Sequence, residues 1–176
     1  MLRRRSGGAE AAVSRAARRA VHFRCPTCSE PLRPEPPRTL RCAKGHSVDV
    51  AKEGHCHLVP AGRRQPQKAP KVRGDTDGSI RARRSFFEAG HYQLQASAVA
   101  AAVGAALGSV APDRPAAVLD AGCGEGQYLR AVERQLGEHS SLWGTDLSRL
   151  AVRYAAKRQP RATYAIAASH RLPFDE

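Results

Sequence analysis

Residues 117–126 read Ala-Val-Leu-Asp-Ala-Gly-Cys-Gly-Glu-Gly, and the fold follows from how this stretch must bend. Ala117 to Asp120 is a short apolar run ending on an acid, as a buried strand would be. Gly122, Gly124 and Gly126 permit a sharp reversal and leave bare backbone for a ligand to approach. A helix is expected next, with Leu129, Val132 and Leu136 on one face. The alternation then repeats: SLWGTD (141–146) as strand, LSRLAVRYAAKR (147–158) as helix, and TYAIAAS (163–169) as a third strand. Strands alternating with helices of this length build parallel βαβ units, so the fold class is α/β. A dinucleotide site would need G-x-G-x-x-G, but Gln127 stands where its last glycine belongs.

Working outward, helical patterning resumes upstream. One helix begins within 75–80 and carries Ile80, Phe86 and Phe87 with Arg81, Arg83 and Arg84 between them; a second, Ala-rich helix runs from about Tyr92 to Leu107 and is closed by Gly108 and Pro112. Residues 61–79 combine Gly, Pro and charge without apolar periodicity and read as a linker. Residues 1–21 are Arg-, Ala- and Ser-rich with one acid, a basic disordered extension outside the fold. The expected division is therefore an extension at 1–21, a small module at 22–60, the linker at 61–79 and an α/β domain from 80 to 176.

The small module is defined by its cysteines. The chain has five, at 25, 28, 42, 56 and 123, with no secretory segment ahead of them, so a disulfide scaffold is excluded and a reducing, cytoplasmic setting is expected. Cys25-Pro-Thr-Cys28 and Cys42-Ala-Lys-Gly-His46 are two tight pairs that could present three thiolates and one imidazole tetrahedrally to zinc. Four protein ligands leave no open position, so this zinc is structural. It is also needed: Leu32, Leu40, Val48, Val50, Leu58 and Val59 are too few to fold roughly 35 residues unaided. His55-Cys56-His57 offers a substitute fourth ligand, although the spacing favours His46.

Charge separates the two halves. Residues 1–84 carry 20 Lys and Arg against 7 Asp and Glu, whereas residues 85–176 carry 9 of each. The net charge of +13 thus resides entirely in the N-terminal part, which points to a polyanionic partner for that part. No apolar run approaches the roughly 20 residues of a membrane span, so no membrane partner is expected.

The G-x-G-x-G spacing, with an acid two residues before its first glycine, resembles class I S-adenosylmethionine-dependent methyltransferases. That resemblance implies a Rossmann-like sheet, with Asp120 and the backbone of Gly122, Gly124, Glu125 and Gly126 lining the methionine end of the cofactor. Asp146, at the end of the second strand, would accept hydrogen bonds from the ribose hydroxyls, and Ser169 and His170 would lie by the adenine edge.

The pieces FRCPTCSEPL, CAKGHSVDVAKEG, GDTDGSIRARRSFFEAGHY, VLDAGCGEG, GTDLSRLAV and AASHRLPF together resemble the 23S rRNA (guanine-N1)-methyltransferases, which include enzymes of tylosin and macrolide resistance. The resemblance implies methyl transfer to N1 of a guanine, a zinc module gripping an rRNA hairpin with Arg81, Arg83 and Arg84 continuing the phosphate contact, and Tyr92 touching the cofactor. The N1 proton must be accepted by some group, and no residue is assigned to it. Where that family more often has an aromatic-Val-Asn run, this chain has His55-Cys56-His57. The sequence encodes about three of the seven strands of such a sheet, so catalysis is expected to be lost or impaired in this chain. The alternative is a zinc-dependent RNA-binding module with a vestigial cofactor domain, and a homodimer is left open.

Overall fold

The computed structural model describes residues 23–60, 76–110, 117–137 and 140–174. The expected basic extension and most of the expected linker lie outside them.

The N-terminal module is a three-stranded antiparallel sheet, β1 (Arg33–Glu35), β2 (Thr39–Arg41) and β3 (Ser47–Asp49), in the order β1-β2-β3. Its register pairs Leu40 with both Pro34 and Val48. Because side chains alternate across a strand, Leu40 and Val48 turn together toward the core, while Arg33, Arg41 and Ser47 share the other face. Arg33 and Arg41 stand directly opposite, and the repulsion is offset where Arg41 pairs with Glu35 at 2.6 Å.

The second sheet is parallel, with order β4-β7-β6-β5: β4 (Cys56–His57), β5 (Ala117–Ala121), β6 (Ser141–Asp146) and β7 (Thr163–Ile166). The three expected strands are present, and the fourth comes from the N-terminal module. Cys56 lies opposite Ala165, His57 opposite Ile166, and Leu58 N–H donates to the Ile166 carbonyl at 2.8 Å. The module is thus joined to the sheet of the α/β domain through an edge strand, which covers the otherwise open side of β7.

Among the described residues, four helices accompany the strands: α1 (Asp77–Glu88), α2 (Gln93–Val110), α3 (Gln127–Leu136) and α4 (Arg149–Arg158). Thr76 caps α1 by accepting the Ser79 N–H at 3.1 Å, and Ser148 caps α4 by accepting that of Ala151 at 3.3 Å. The stop expected at Gly108 does not occur there; α2 runs on to Val110. A glycine inside a helix costs only about 1 kcal/mol, too little by itself to end one.

The parallel sheet separates two cores. Leu142, Tyr164 and Ile166 face the helices, meeting Ala96 and Ala100 of α2, Leu129 and Val132 of α3, and Val152 and Ala155 of α4. The alternate residues Trp143, Ala165 and Ala167 face the N-terminal module, meeting Phe23, Cys25, Leu32, Cys42, Cys56 and Leu58. Phe23 also packs on Phe174 at 5.4 Å, and Arg24 N–H donates to the Pro173 carbonyl at 2.8 Å. The zinc module is therefore the second covering layer of the sheet.

Candidate cofactor site and zinc centre

The metal ligands come together as the spacing required. The donor atoms of Cys25, Cys28, Cys42 and His46 all lie within 4.8 Å of one another. Tetrahedral zinc with ordinary bond lengths sets two thiolates about 3.8 Å apart and a thiolate and an imidazole nitrogen about 3.6 Å apart. The Cys28 and Cys42 sulfurs are 3.7 Å apart, and Cys42 Sγ is 3.4 Å from His46 Nδ1, so the four fit the ion. Backbone turns hold them: Ser29 N–H donates to the Cys25 carbonyl at 2.9 Å, and Gly45, at φ +83°, donates to that of Cys42 at 3.0 Å. Of the substitute ligands, His55 lies outside this cluster with its buried Nδ1 unpartnered, and the other two are used elsewhere. Cys56 is buried in the second core, which pushes its thiol up to about 12, and His57 Nε2 meets Arg149 at 2.9 Å.

The parallel strands end together at their C-terminal edge, beside the crevice where ligands of such sheets bind. The glycine turn leaves β5 there and is tied to β6. Gly122 and Cys123 N–H both donate to the Thr145 carbonyl, at 2.7 and 2.9 Å, and Gly124 N–H donates to Asp146 Oδ2 at 2.9 Å. The other Asp146 oxygen accepts the Ser148 N–H at 2.8 Å. Each oxygen keeps a second lone pair for a ligand. Gly126 sits at φ +72°, and any Cβ there would collide with the Tyr164 hydroxyl, which donates to Gln159 Oε1 at 2.6 Å.

Asp120 is the unbalanced group. Its Oδ2 is buried without a hydrogen-bond partner. Burial first, and then the Asp146 charge, raise its pKa. Two carboxylates at the mouth of a bare-backbone turn call for a cationic group, which an ammonium would satisfy. Cys123 does not compete for this role, since burial raises its thiol and the two aspartates raise it further.

Glu125 and Arg84 meet in one part-buried contact. The Glu125 side chain is not offered to a ligand: it is buried, and its carboxylate is gripped by the Arg84 guanidinium through both Nε, at 3.2 Å, and Nη2. Only its backbone remains for the crevice. By the same contact Arg84 is withdrawn from the expected phosphate-binding row, and Arg81 is paired with Asp77 one turn back. Sequence reading missed this because Arg84 and Glu125 lie 41 residues apart; the one hint was an acid inside a turn that otherwise exposes only glycine.

The remaining expected residues are more peripheral. Tyr92 stands at the α1–α2 corner, its ring 5.5 Å from both Phe86 and Phe87. Ser169 and His170 follow β7 and are exposed at the same end of the sheet as Asp146. Among the described contacts, none links these three residues to the glycine turn.

By fold and by site, the chain is a zinc ribbon packed on the sheet of a class I methyltransferase domain. Comparison agrees on both parts: residues 23–67 match the zinc-ribbon family described as RlmA, N-terminal, and residues 118–176 match a methyltransferase domain. The chain is 39% identical over 157 residues to a 23S rRNA (guanine-N(1)-)-methyltransferase of Micromonospora griseorubida, covering 82% of this chain and 50% of that one. It is 38% identical over 146 residues to the 23S rRNA (guanine(748)-N(1))-methyltransferase of Streptomyces fradiae, covering 83% of this chain and 48% of that one. Over most of its length the chain is thus similar to 23S rRNA (guanine-N1)-methyltransferases, and it spans about half the length of these curated relatives. A solved structure of the plantazolicin methyltransferase BpumL, in complex with a monoazolic desmethylPZN analog and SAH, aligns with a TM-score of 0.44 at 22% identity, over 57% of this chain and 37% of that one.

Proposed function

We propose that this chain binds S-adenosylmethionine at the glycine turn and an rRNA hairpin through its zinc ribbon, for methyl transfer to N1 of a guanine in 23S rRNA. The observation that carries the cofactor reading is the buried, unpartnered Asp120 carboxylate at the crevice. In this reading Asp120 meets the methionine ammonium, the backbone of residues 122–126 lines the methionine end, and the free lone pairs of Asp146 accept the ribose hydroxyls. Ser169 and His170 border the adenine, and Tyr92 closes the methionine end. The bound cofactor supplies an electrophilic methyl group; the protein supplies position and orientation.

The RNA part rests on charge. Arg33, Arg38, Lys44 and Lys52 are exposed on the ribbon, and the 23S rRNA for which the relatives are named is a polyanion. A hairpin read through phosphate contacts should lose affinity steeply with salt, by roughly 0.7–0.9 in log K per log salt for each contact. The homodimer has one feature behind it, the edge of β5 away from β6, which has no partner strand among the described residues.

Two measurements test the proposal. Calorimetric titration of the zinc-loaded chain with S-adenosylhomocysteine should give one site per chain, and a folded chain that gives no heat overturns the cofactor reading. Transfer of labelled methyl groups to an rRNA hairpin, with the modified base located by mass spectrometry, tests the reaction. Binding of both ligands without transfer would favour the RNA-binding module with a non-catalytic cofactor domain.

A further inference from the structure

We infer that Arg84 is a positioning residue of the cofactor site, holding the glycine turn in its ligand-ready shape by clamping Glu125 from α1. This inference rests on the cofactor reading above. Glu125 is an ionisable group at 4% side-chain exposure, and it sits between the two glycines whose backbone matters most. Gly124 before it donates to Asp146, and Gly126 after it is pressed against Tyr164. A change in the Glu125 side chain therefore moves both neighbouring peptide groups and, with them, the tie from Gly124 to Asp146 and the contact of Gly126 with Tyr164.

The clamp uses properties special to arginine. Its Nε and Nη2 engage both Glu125 oxygens in fork geometry, and its guanidinium lies 4.4 Å from the centre of the Tyr154 ring. Tyr154 in turn donates its hydroxyl to Asp77 Oδ1 at 2.9 Å, at the start of the same helix as Arg84. From α4, Arg158 binds Glu88 at 2.7 Å and approaches Glu125 to 3.9 Å. Both ends of α1 are thus pinned to α4, and its middle is pinned to the turn.

Apolar burial contributes little to this docking. Ile80 is the one buried residue of α1, and Phe86 on its flank is 47% exposed. The helix is held on the turn chiefly by oriented polar contacts, and Arg84 supplies the one that reaches the cofactor-binding backbone. It touches Glu125 and Tyr154, so its action on the ligand is indirect.

The test is a double-mutant cycle in the zinc-loaded 176-residue chain, read by calorimetric titration with S-adenosylhomocysteine. Arg84→Gln leaves the buried carboxylate with only the distant Arg158, at 3.9 Å, and should weaken binding about tenfold or more; Arg84→Lys, which lacks the fork, should not restore it. Arg84→Gln combined with Glu125→Gln removes the stranded charge and should recover most of the lost affinity, which an effect of Arg84 independent of Glu125 would not do. If Arg84→Gln melts before binding can be read, Glu125→Gln alone still decides: it should weaken binding, and unchanged affinity sinks the clamp. Affinity for an rRNA hairpin and its salt slope should be the same in wild type and Arg84→Gln. A smaller hairpin slope with unchanged cofactor affinity would make Arg84 a phosphate contact and overturn the inference. Absence of cofactor binding to the folded wild-type chain would instead strike the cofactor reading itself.

Discussion

Replacing Asp120 by Asn should make the ligand-free protein more stable at neutral pH and at the same time weaken its cofactor binding. The carboxylate is buried beside a second one with Oδ2 unpartnered, and burial and the Asp146 charge hold its pKa above the ordinary 3.8. A carboxyl whose folded pKa lies above its unfolded value binds its proton more tightly in the native state. Stability from this group is therefore greatest below the unfolded value and falls as pH rises through the folded one. Asn has nearly the same shape and never ionises, so it removes that fall. Relieving an unpaired buried polar group is worth about 1–3 kcal/mol, and about 2–4 °C of melting temperature accompanies each kcal/mol in a chain of this size.

The assay is calorimetric melting of both proteins between pH 5 and 8, compared at each pH so that the pH dependence of zinc binding cancels. The variant's advantage should be larger at pH 7 than at pH 5, or already at its plateau by pH 5 if the folded pKa lies lower. Titration with S-adenosylhomocysteine should then show the opposite ranking, a loss of about 10- to 100-fold for Asn, the worth of a hydrogen bond to a charged group. If Asp120→Asn melts lower than wild type throughout that range, the carboxylate has a stabilising partner in the folded chain and the argument from an unpaired charge is wrong.

Three further outcomes follow. Trp143 is the chain's single tryptophan and lies in the core shared with Cys25 and Cys42, so chelation of about one zinc per chain should shift its emission to the red; an unchanged spectrum would show that the second core stands without metal. Cys56→Ser should retain zinc while losing about 1–3 kcal/mol, because it puts a hydroxyl into an apolar core, whereas Cys42→Ser should lose the metal, as elemental analysis alongside denaturant melts would reveal. Gly126→Ala should cost about 2–4 kcal/mol, from the positive φ and the collision with the Tyr164 hydroxyl, and Tyr164→Phe in the same chain should return part of it; additive losses would locate the damage elsewhere.

What was legible in the sequence was whatever is local. The glycine turn declares itself because the residue types that permit the bend are adjacent, and the zinc tetrad because each pair of ligands shares one tight turn. Asp146 was legible at one remove, since a βαβ unit fixes roughly how far along the chain the second strand must end. Contacts between distant segments left no such trace. β4 is two residues long, too short for any periodicity, and becomes a strand only because the edge of β7 receives it. Arg84 looked like one more charge in a basic row until Glu125 was found buried beside it.

The sheet connects the zinc cluster to the proposed cofactor site. Ala165 and Ala167 are small and almost fully buried, letting the ribbon approach closely, while Tyr164 and Ile166, their neighbours on β7, fill the helical side. The chain continues from this strand to Ser169 and His170, and Ala167 N–H donates to the Asp146 carbonyl at 3.1 Å. Ribbon, β7 and the carboxylate proposed for the ribose are therefore consecutive links in one packed body. Loosening the zinc cluster withdraws Cys25 and Cys42 from the core against Trp143 and Ala165, which frees β7 and then the backbone that holds Asp146. The ribbon and the proposed cofactor crevice are thus parts of one packed body, joined through β4, β7 and the core around Trp143.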